Sequence, residues 1–173
     1  LNARVVDFYE MPGSLDSKEY KNAGINSYVI SSIDSADKVS YDFFNCTGLA
    51  VTGRSKASGE DISFLSHQNP HFFLYAQKKD LFLSDLRERL MSMRESCESG
   101  TVDAVIFGGN YVNLEERRLA QFKKLLHLHK SPAANYKHPY KDYKETLALL
   151  SHEIEQTLGF EPVVISGPKE VGD

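Results

Sequence analysis

The stretch KVSYDFFNCTGLAVTGRSKASGEDISFLSHQNP, residues 38–70, contains two apolar segments separated by a polar loop rich in Gly and Ser. Apolar and polar residues alternate in the first segment, as they do in a half-buried strand. The turn-rich loop favours return of the second segment alongside the first. The first segment carries Cys46 and the second ends at His67, 21 positions later. Pairing of the two strands would make the thiol and the imidazole neighbours, which is the starting material of a Cys–His nucleophile.

Length, charge and hydropathy set the class of protein. The 173 residues predict one domain, 1–173, large enough for its own hydrophobic core. A net charge of −4 disfavours nucleic acid as the main partner. The sequence has no apolar run of about 18 residues, so we expect no membrane insertion. The opening residues LNARVVDFYE lack the charged and apolar regions of a secretion signal.

Cysteine and histidine spacing indicates neither a disulfide framework nor a metal site. Two cysteines, Cys46 and Cys97, are too few for a disulfide-stapled domain of this length. Cys97 falls at the end of a predicted helix and is interpreted as an incidental thiol. The pair His127 and His129 is two residues apart, so the side chains point to different sides of a helix, and Pro70 separates His67 from the next histidine. We therefore expect no metal and no cofactor.

The order of predicted elements indicates an α+β architecture, a layered arrangement of mostly antiparallel strands covered by helices. A short polar segment, 14–23, is predicted to be helical with Ser14 as its N-cap. The periodicity predicts helices over 79–98, 114–130 and 140–158. Strands are predicted over 3–9, 25–32, 38–44, 47–53, 62–67, 102–109 and 160–167, and 71–76 is either another strand or the lead-in to a helix.

The order of these features resembles the chemoreceptor glutamine deamidase family (CheD). It is more distantly similar to the Cys–His deamidase domains of bacterial toxins of the cytotoxic-necrotizing-factor and lethal-factor type. In those folds a catalytic Cys at a strand end is followed about twenty residues later by a His on a neighbouring strand that often ends in Pro. The corresponding motifs here are NCTGLAV, ISFLSHQNP, the helix over 79–98, AVIFGGN and the closing ETLALLSHEIEQTLGFEPVVISG. The likeness spans roughly residues 26–167 and consists of order and spacing rather than identity.

This resemblance implies a protein-glutamine deamidase with Cys46 as nucleophile and His67 as general base and acid. The family's Thr, six residues before the Cys, falls on Ser40, which would orient the imidazole. The implied partner is a protein that carries a glutamine, and the implied location is the bacterial cytoplasm, or a host cytosol for a toxin-like effector. The chain departs from the family where Phe44-Asn45 replaces the Gly-Ser before the Cys and Leu65-Ser66 replaces two glycines before the His.

Simpler interpretations of the same residues remain open at this stage. Cys46 is also compatible with a buried, inert thiol, His67 with a structural histidine at a strand end, and Ser40 with an exposed strand serine. On the alternating pattern, Ser40 and Cys46 are expected to share a face of one strand. Two alternatives to the deamidase follow: a non-catalytic interaction domain, and another Cys-dependent acyl transferase or peptidase.

Secondary candidates surround these three residues. Gln68 and Asn69 are candidates for substrate or oxyanion contacts, although Asn-Pro at a strand end is also typical of a turn. The backbone N–H groups of Asn45 and Cys46 are candidates for an oxyanion hole. The pair Gly108-Gly109 lacks the Lys and Ser/Thr of a phosphate loop, so close backbone packing beside the strand that carries Cys46 is expected there.

Overall fold

The computed structural model describes residues 18–19, 28–40, 43, 46–69, 78–108 and 139–166. Among these residues, three short strands come before the hairpin that leads to His67. One helix comes before the next strand and a second helix follows it. In chain order the described elements are β1 (Lys18–Glu19), β2 (Tyr28–Ile30), β3 (Lys38–Val39), β4 (Thr47–Arg54), β5 (Asp61–Gln68), α1 (Lys79–Ser96), β6 (Asp103–Gly108), α2 (Pro139–Leu158) and β7 (Val163–Ser166).

The main sheet has five strands in the order β2-β5-β4-β6-β7. Strands β2, β5, β4 and β6 pair in antiparallel fashion, whereas β6 and β7 run parallel. The hairpin predicted from the sequence is confirmed, because Thr47 lies opposite Gln68 and Arg54 opposite Asp61. At its turn the Ser55 N–H donates to the Glu60 carbonyl at 2.8 Å, and Gly59 adopts φ +70°. The α+β class with a mostly antiparallel sheet is therefore as expected.

One face of the sheet packs against both helices and forms the hydrophobic core. Side chains at alternate positions of β4, β5 and β6 point to this face, as the period of two requires. Full burial of each large apolar side chain stabilises the fold by about 1.5–3 kcal/mol. The core consists chiefly of Leu49, Val51, Phe64, Ala104 and Ile106 from the sheet, Phe82, Leu86, Leu90 and Met93 from α1, and Leu150 and Ile154 from α2.

Polar contacts hold the two helices side by side on the sheet. The Arg87 guanidinium donates to both carboxylate oxygens of Glu153, each at 2.6 Å. Further along α1, Arg94 donates to the Thr157 carbonyl at 2.9 Å. Helix α2 ends directly before Gly159, which has φ +83°, as the sequence predicted, whereas α1 ends at Ser96 with an extended Cys97 as its cap and Gly100 lies in the turn that follows. No helix among the described residues is both long and apolar enough to span a bilayer.

Two element predictions are corrected by the structure. The polar segment 14–23 was expected to be helical, but its described part, Lys18–Glu19, is a strand paired in parallel with Lys38–Val39. This tertiary pairing outweighs the weak local preference of the polar sequence for a helix. The strand expected over 38–44 ends at Val39, so Ser40 does not belong to a continuous strand that reaches Cys46.

Three further element predictions lie outside the described residues, namely the strand over 3–9, the segment 71–76 and the helix over 114–130. The remaining strands are confirmed with bounds shifted by a few residues, which is the usual uncertainty at element ends. The helices predicted over 79–98 and 140–158 correspond to α1 and α2.

Candidate active site

His67 lies on the face of the sheet opposite the helices, one residue before the end of β5. It is opposite Val29 of β2 on one side and Gly48 of β4 on the other, and Gly48 is in turn opposite Phe107 of β6. Cross-strand partners project to the same face, so these residues form a row across four strands. The imidazole is 2 % exposed, and it is therefore held by packing as well as by hydrogen bonding.

Ser40 and Phe43 fix the orientation of the imidazole. The distance between Ser40 Oγ and His67 Nδ1 is 2.8 Å, a hydrogen bond between side chains 27 positions apart. The ring of Phe43 stacks on the imidazole, with a centroid separation of 4.2 Å and an interplanar angle of 26°. In the tautomer in which Nδ1–H donates to Ser40 Oγ, the Nε2 lone pair is the basic site of the ring. This is the tautomer that a general base requires.

Cys46 immediately precedes β4 and lies close to His67 in the sheet register. Gly48 is directly opposite His67, and Cys46 is two residues before Gly48, so the period of two puts Cys46 and His67 on one face. Such diagonal positions are about 7–8 Å apart at the backbone, a separation that long side chains bridge. Cys46 is half-buried, in keeping with a thiol that reaches solvent.

Gly48 gives two aromatic rings room beside the imidazole. A Cβ at Gly48 would be 2.5 Å from both Cε2 and Cζ of Phe107 and 2.8 Å from Cε1 of Phe43. The two phenyl rings meet edge to face at 4.8 Å. The sequence analysis singled out neither phenylalanine as part of the site. The signal was available, because a glycine inside an apolar strand often marks the close approach of another group.

Gly108 permits close packing of the end of β6 against the backbone of Cys46. Its φ is +100°, and a Cβ there would lie 2.5 Å from the Cys46 carbonyl oxygen. The prediction of close backbone packing at this position is therefore confirmed for Gly108, whereas Gly109 lies outside the described residues. The glycine at the end of β6 thus sets where the Cys46 backbone runs.

Gly108→Ala is expected to destabilise the protein by about 3 kcal/mol, since it adds a strained φ and a backbone clash. Gly100→Ala is the matched control, because Gly100 has φ +78° and no atom within 4 Å of an added Cβ. Only the left-handed backbone then costs free energy, about 1 kcal/mol. Urea denaturation of both variants measures the difference. Equal losses of unfolding free energy would show that the Cys46 carbonyl does not constrain Gly108.

The three secondary candidates for substrate or oxyanion contacts, Gln68, Asn69 and Asn45, have different outcomes. Gln68 is opposite Thr47 on the helix-covered face and is fully buried, so its side chain does not share the His67 side of the sheet. Adjacent strand residues point to opposite faces, and this excludes Gln68 from the His67 side. Asn69 follows β5 and is half-buried, and Asn45 lies outside the described residues.

The second cysteine has the surroundings of an inert thiol. Cys97 is 1 % exposed and belongs to the hydrophobic core. Burial raises the pKa of the Cys97 thiol, against an opposing effect of Lys56. A raised pKa lowers the thiolate fraction at neutral pH, and the thiolate is the reactive form.

Neither metal ligands nor known relatives add to this picture. Within the described part of the chain, no group of three or more His, Cys, Asp or Glu side chains is arranged to hold a metal ion. Comparison with protein families, with curated proteins and with solved structures gives no match. A functional assignment for this site therefore depends on its geometry and chemistry.

Proposed function

We propose that the protein is a Cys–His amidohydrolase that deamidates a glutamine side chain on a protein substrate. Cys46 is the nucleophile, His67 the general base and acid, and Ser40 the residue that orients the imidazole. The observation that carries the proposal is the 2.8 Å hydrogen bond between Ser40 Oγ and His67 Nδ1. Unrelated hydrolases of this type share one arrangement, in which a nucleophile contacts a base and the base is held by an orienting group. The reaction as proposed uses no cofactor.

The proposed reaction has two halves. His67 accepts the proton of Cys46, and the thiolate attacks the carboxamide carbon to form a C–S bond and a tetrahedral oxyanion. The imidazolium then protonates the nitrogen, the C–N bond breaks and ammonia leaves, which yields a thioester. In the second half, neutral His67 accepts a proton from water, and the oxygen attacks the thioester carbon. The C–S bond breaks, the sulfur is reprotonated, and glutamate is the product.

The choice of protein-bound glutamine rests on the resemblance to the chemoreceptor deamidases. Their order of catalytic Cys, hairpin, His, helix and buried strand corresponds to Cys46, β4–β5, His67, α1 and β6 in this chain. We extend the proposal to the fold, as a CheD-like layered sandwich, and to the setting, a bacterial cytoplasm or a host cytosol. Ser40 is a conservative replacement of the family's Thr, since both supply a hydroxyl that donates or accepts.

A second candidate is a non-catalytic interaction domain on the same fold. It is favoured by the near-complete burial of His67, 2 % exposed, and by the Phe43 ring stacked on it. A buried histidine that is hydrogen-bonded and stacked also satisfies the requirements of a structural residue. The two candidates differ in whether Cys46 performs chemistry.

Incubation of the protein with a bacterial lysate, followed by peptide mass spectrometry, tests the proposal. A deamidase converts specific glutamines to glutamates, releases ammonia and leaves the polypeptide chains intact. New chain termini would indicate a peptidase instead, and isopeptide cross-links a transglutaminase. The absence of any change that depends on Cys46, in bacterial and host-cell lysates alike, would support the interaction domain and contradict the deamidase.

A further inference from the structure

The segment that delivers Ser40 to His67 runs beside β5 and contacts the face of the sheet opposite α1 and α2. It begins where Ser31 pairs with β5: the Ser31 N–H donates to the Leu65 carbonyl, and the Leu65 N–H donates to Ser31 Oγ, both at 2.9 Å. It is fastened again at Asp34, whose backbone exchanges hydrogen bonds with Ser63 at 3.3 and 3.0 Å. We call residues 31–40 the arm. Because the arm runs antiparallel to β5, its backbone moves away from His67 between Ser31 and Asp34, and residues 35–40 return so that Ser40 meets His67.

Lys38 lies near the C-terminal end of the arm, and its ammonium group is buried. Its side chain is 4 % exposed. The Nζ donates to the Asp34 carbonyl at 3.1 Å, to Asp34 Oδ1 at 2.9 Å, to the Ala36 carbonyl at 3.0 Å and to Ser63 Oγ at 3.3 Å. An ammonium removed from water is costly unless it is paired and hydrogen-bonded. The four acceptors around Nζ meet that requirement, so the group is fixed in place.

Asp34 organises the acceptors that surround Lys38. Its Oδ1 also accepts from the Ala36 N–H at 3.0 Å, a side-chain-to-backbone turn. Its Oδ2 accepts from Ser32 Oγ at 2.7 Å. The Asp34 carboxylate therefore holds Ser32, Ala36 and Lys38 together through hydrogen bonds. Lys38 connects this cluster to β5 through its hydrogen bond to Ser63.

Two side-chain contacts join the arm to one face of β5. Ser63 and His67 lie on the same face of β5, four residues apart. Lys38 contacts Ser63, and Ser40, two residues further along the arm, contacts His67. A displacement of Lys38 would therefore displace Ser40 directly, because only Val39 separates them.

We propose that Lys38, held by Asp34, is a positioning residue that sets the Ser40 hydroxyl against Nδ1 of His67. Its effect on chemistry rests on the proposed function, whereas its effect on the imidazole does not. Lys38 touches neither Cys46 nor His67 in this role and acts through Ser40.

The test compares Lys38→Met with Ser40→Ala by two measurements that need no protein substrate. The first is the position of the ¹⁵N signals of the His67 ring, identified among six histidines by their loss in His67→Gln. The second is the rate of iodoacetamide alkylation at Cys46. Lys56→Met is the matched control, since Lys56 Nζ also donates to a backbone carbonyl, that of Glu95 at 2.7 Å, but on the exposed surface.

We expect Lys38→Met to move the His67 ring signals to the positions found in Ser40→Ala. Alkylation of Cys46 should slow by about 2- to 10-fold, the range of one hydrogen bond, and no further in the Lys38→Met/Ser40→Ala double variant. Ser63→Ala, a milder change, should shift the same signals in the same direction. This variant keeps the test decisive if Lys38→Met fails to fold.

Unchanged ring signals in Lys38→Met and Ser63→Ala, with only a loss of thermal stability, would overturn the inference. The inference would also be overturned if the slowing factors of Lys38→Met and Ser40→Ala on Cys46 alkylation multiplied in the double variant. Two residues that act through one another do not have additive free-energy effects. If Lys38→Met and Ser40→Ala shift the His67 ring signals in the same way but the protein hydrolyses no amide, the positioning role of Lys38 stands and only the proposed function is rejected.

Discussion

Cys46→Ala is expected to abolish conversion of glutamine to glutamate in lysate proteins. Removal of the nucleophile from a catalytic unit eliminates nearly all of its rate, at least about 10⁴-fold. Cys46 is half-buried and lies outside the hydrophobic core, so the substitution should leave the urea midpoint close to that of the unmodified protein. Peptide mass spectrometry of the same glutamine sites measures the loss.

Cys97→Ala is the control for that result, because it removes the other cysteine of the chain. Cys97 lies in the core beside Gly53, so its substitution should lower stability by about 1 kcal/mol and leave the deamidated sites unchanged. Sites that persist in Cys46→Ala, or disappear in folded Cys97→Ala, would remove Cys46 from the reaction.

His67→Ala is expected to lower the turnover rate by about 10²- to 10⁴-fold, the contribution of a general base and acid. The loss has two sources: Cys46 no longer has a proton acceptor, and the leaving amide nitrogen no longer has a proton donor. His67→Gln should lose a similar amount while filling more of the buried space and keeping a polar partner for Ser40. Time courses of glutamate formation at one substrate site measure both variants.

His152→Ala provides the comparison for His67, since His152 is exposed on α2. Its rate should stay within about 2-fold of the unmodified protein, as is usual for an exposed position away from special features. If His67→Gln is folded and retains the full rate, His67 is a structural residue, as the interaction-domain interpretation requires.

Local patterns explain which parts of the fold could be predicted. The apolar segments TGLAVTG and ISFLSH and the Gly- and Ser-rich loop between them identify the β4–β5 hairpin, because these features act over a few neighbouring residues. The apolar period of α1 and the glycine that ends α2 are equally local. The face shared by Cys46 and His67 also follows from counting along paired strands. The same counting would have excluded Gln68, which is adjacent to His67 and so points to the other face.

The remaining features depend on contacts between distant parts of the chain. The parallel pairing of Lys18–Glu19 with Lys38–Val39 has no local signal. Ser40 was expected along one strand with Cys46, yet it reaches His67 at the end of an arm fastened by Lys38. The Phe43 stack on the imidazole is likewise a tertiary contact. Apolar–polar alternation along one strand does not predict which side chains from other segments pack onto the face of the sheet.

The most direct test of the Cys46–His67 pair is alkylation of each cysteine by iodoacetamide as a function of pH, with and without His67. The reactivity of an ordinary thiol falls about 10-fold for each pH unit below its pKa of about 8.5. Cys46 is more exposed than Cys97, so a faster reaction at one pH would not by itself demonstrate activation. We predict that Cys46 stays reactive near pH 6 and that His67→Gln restores the steep loss of an ordinary thiol. A Cys46 profile that is steep in both proteins, or that does not change when His67 is replaced, would contradict the proposed nucleophile.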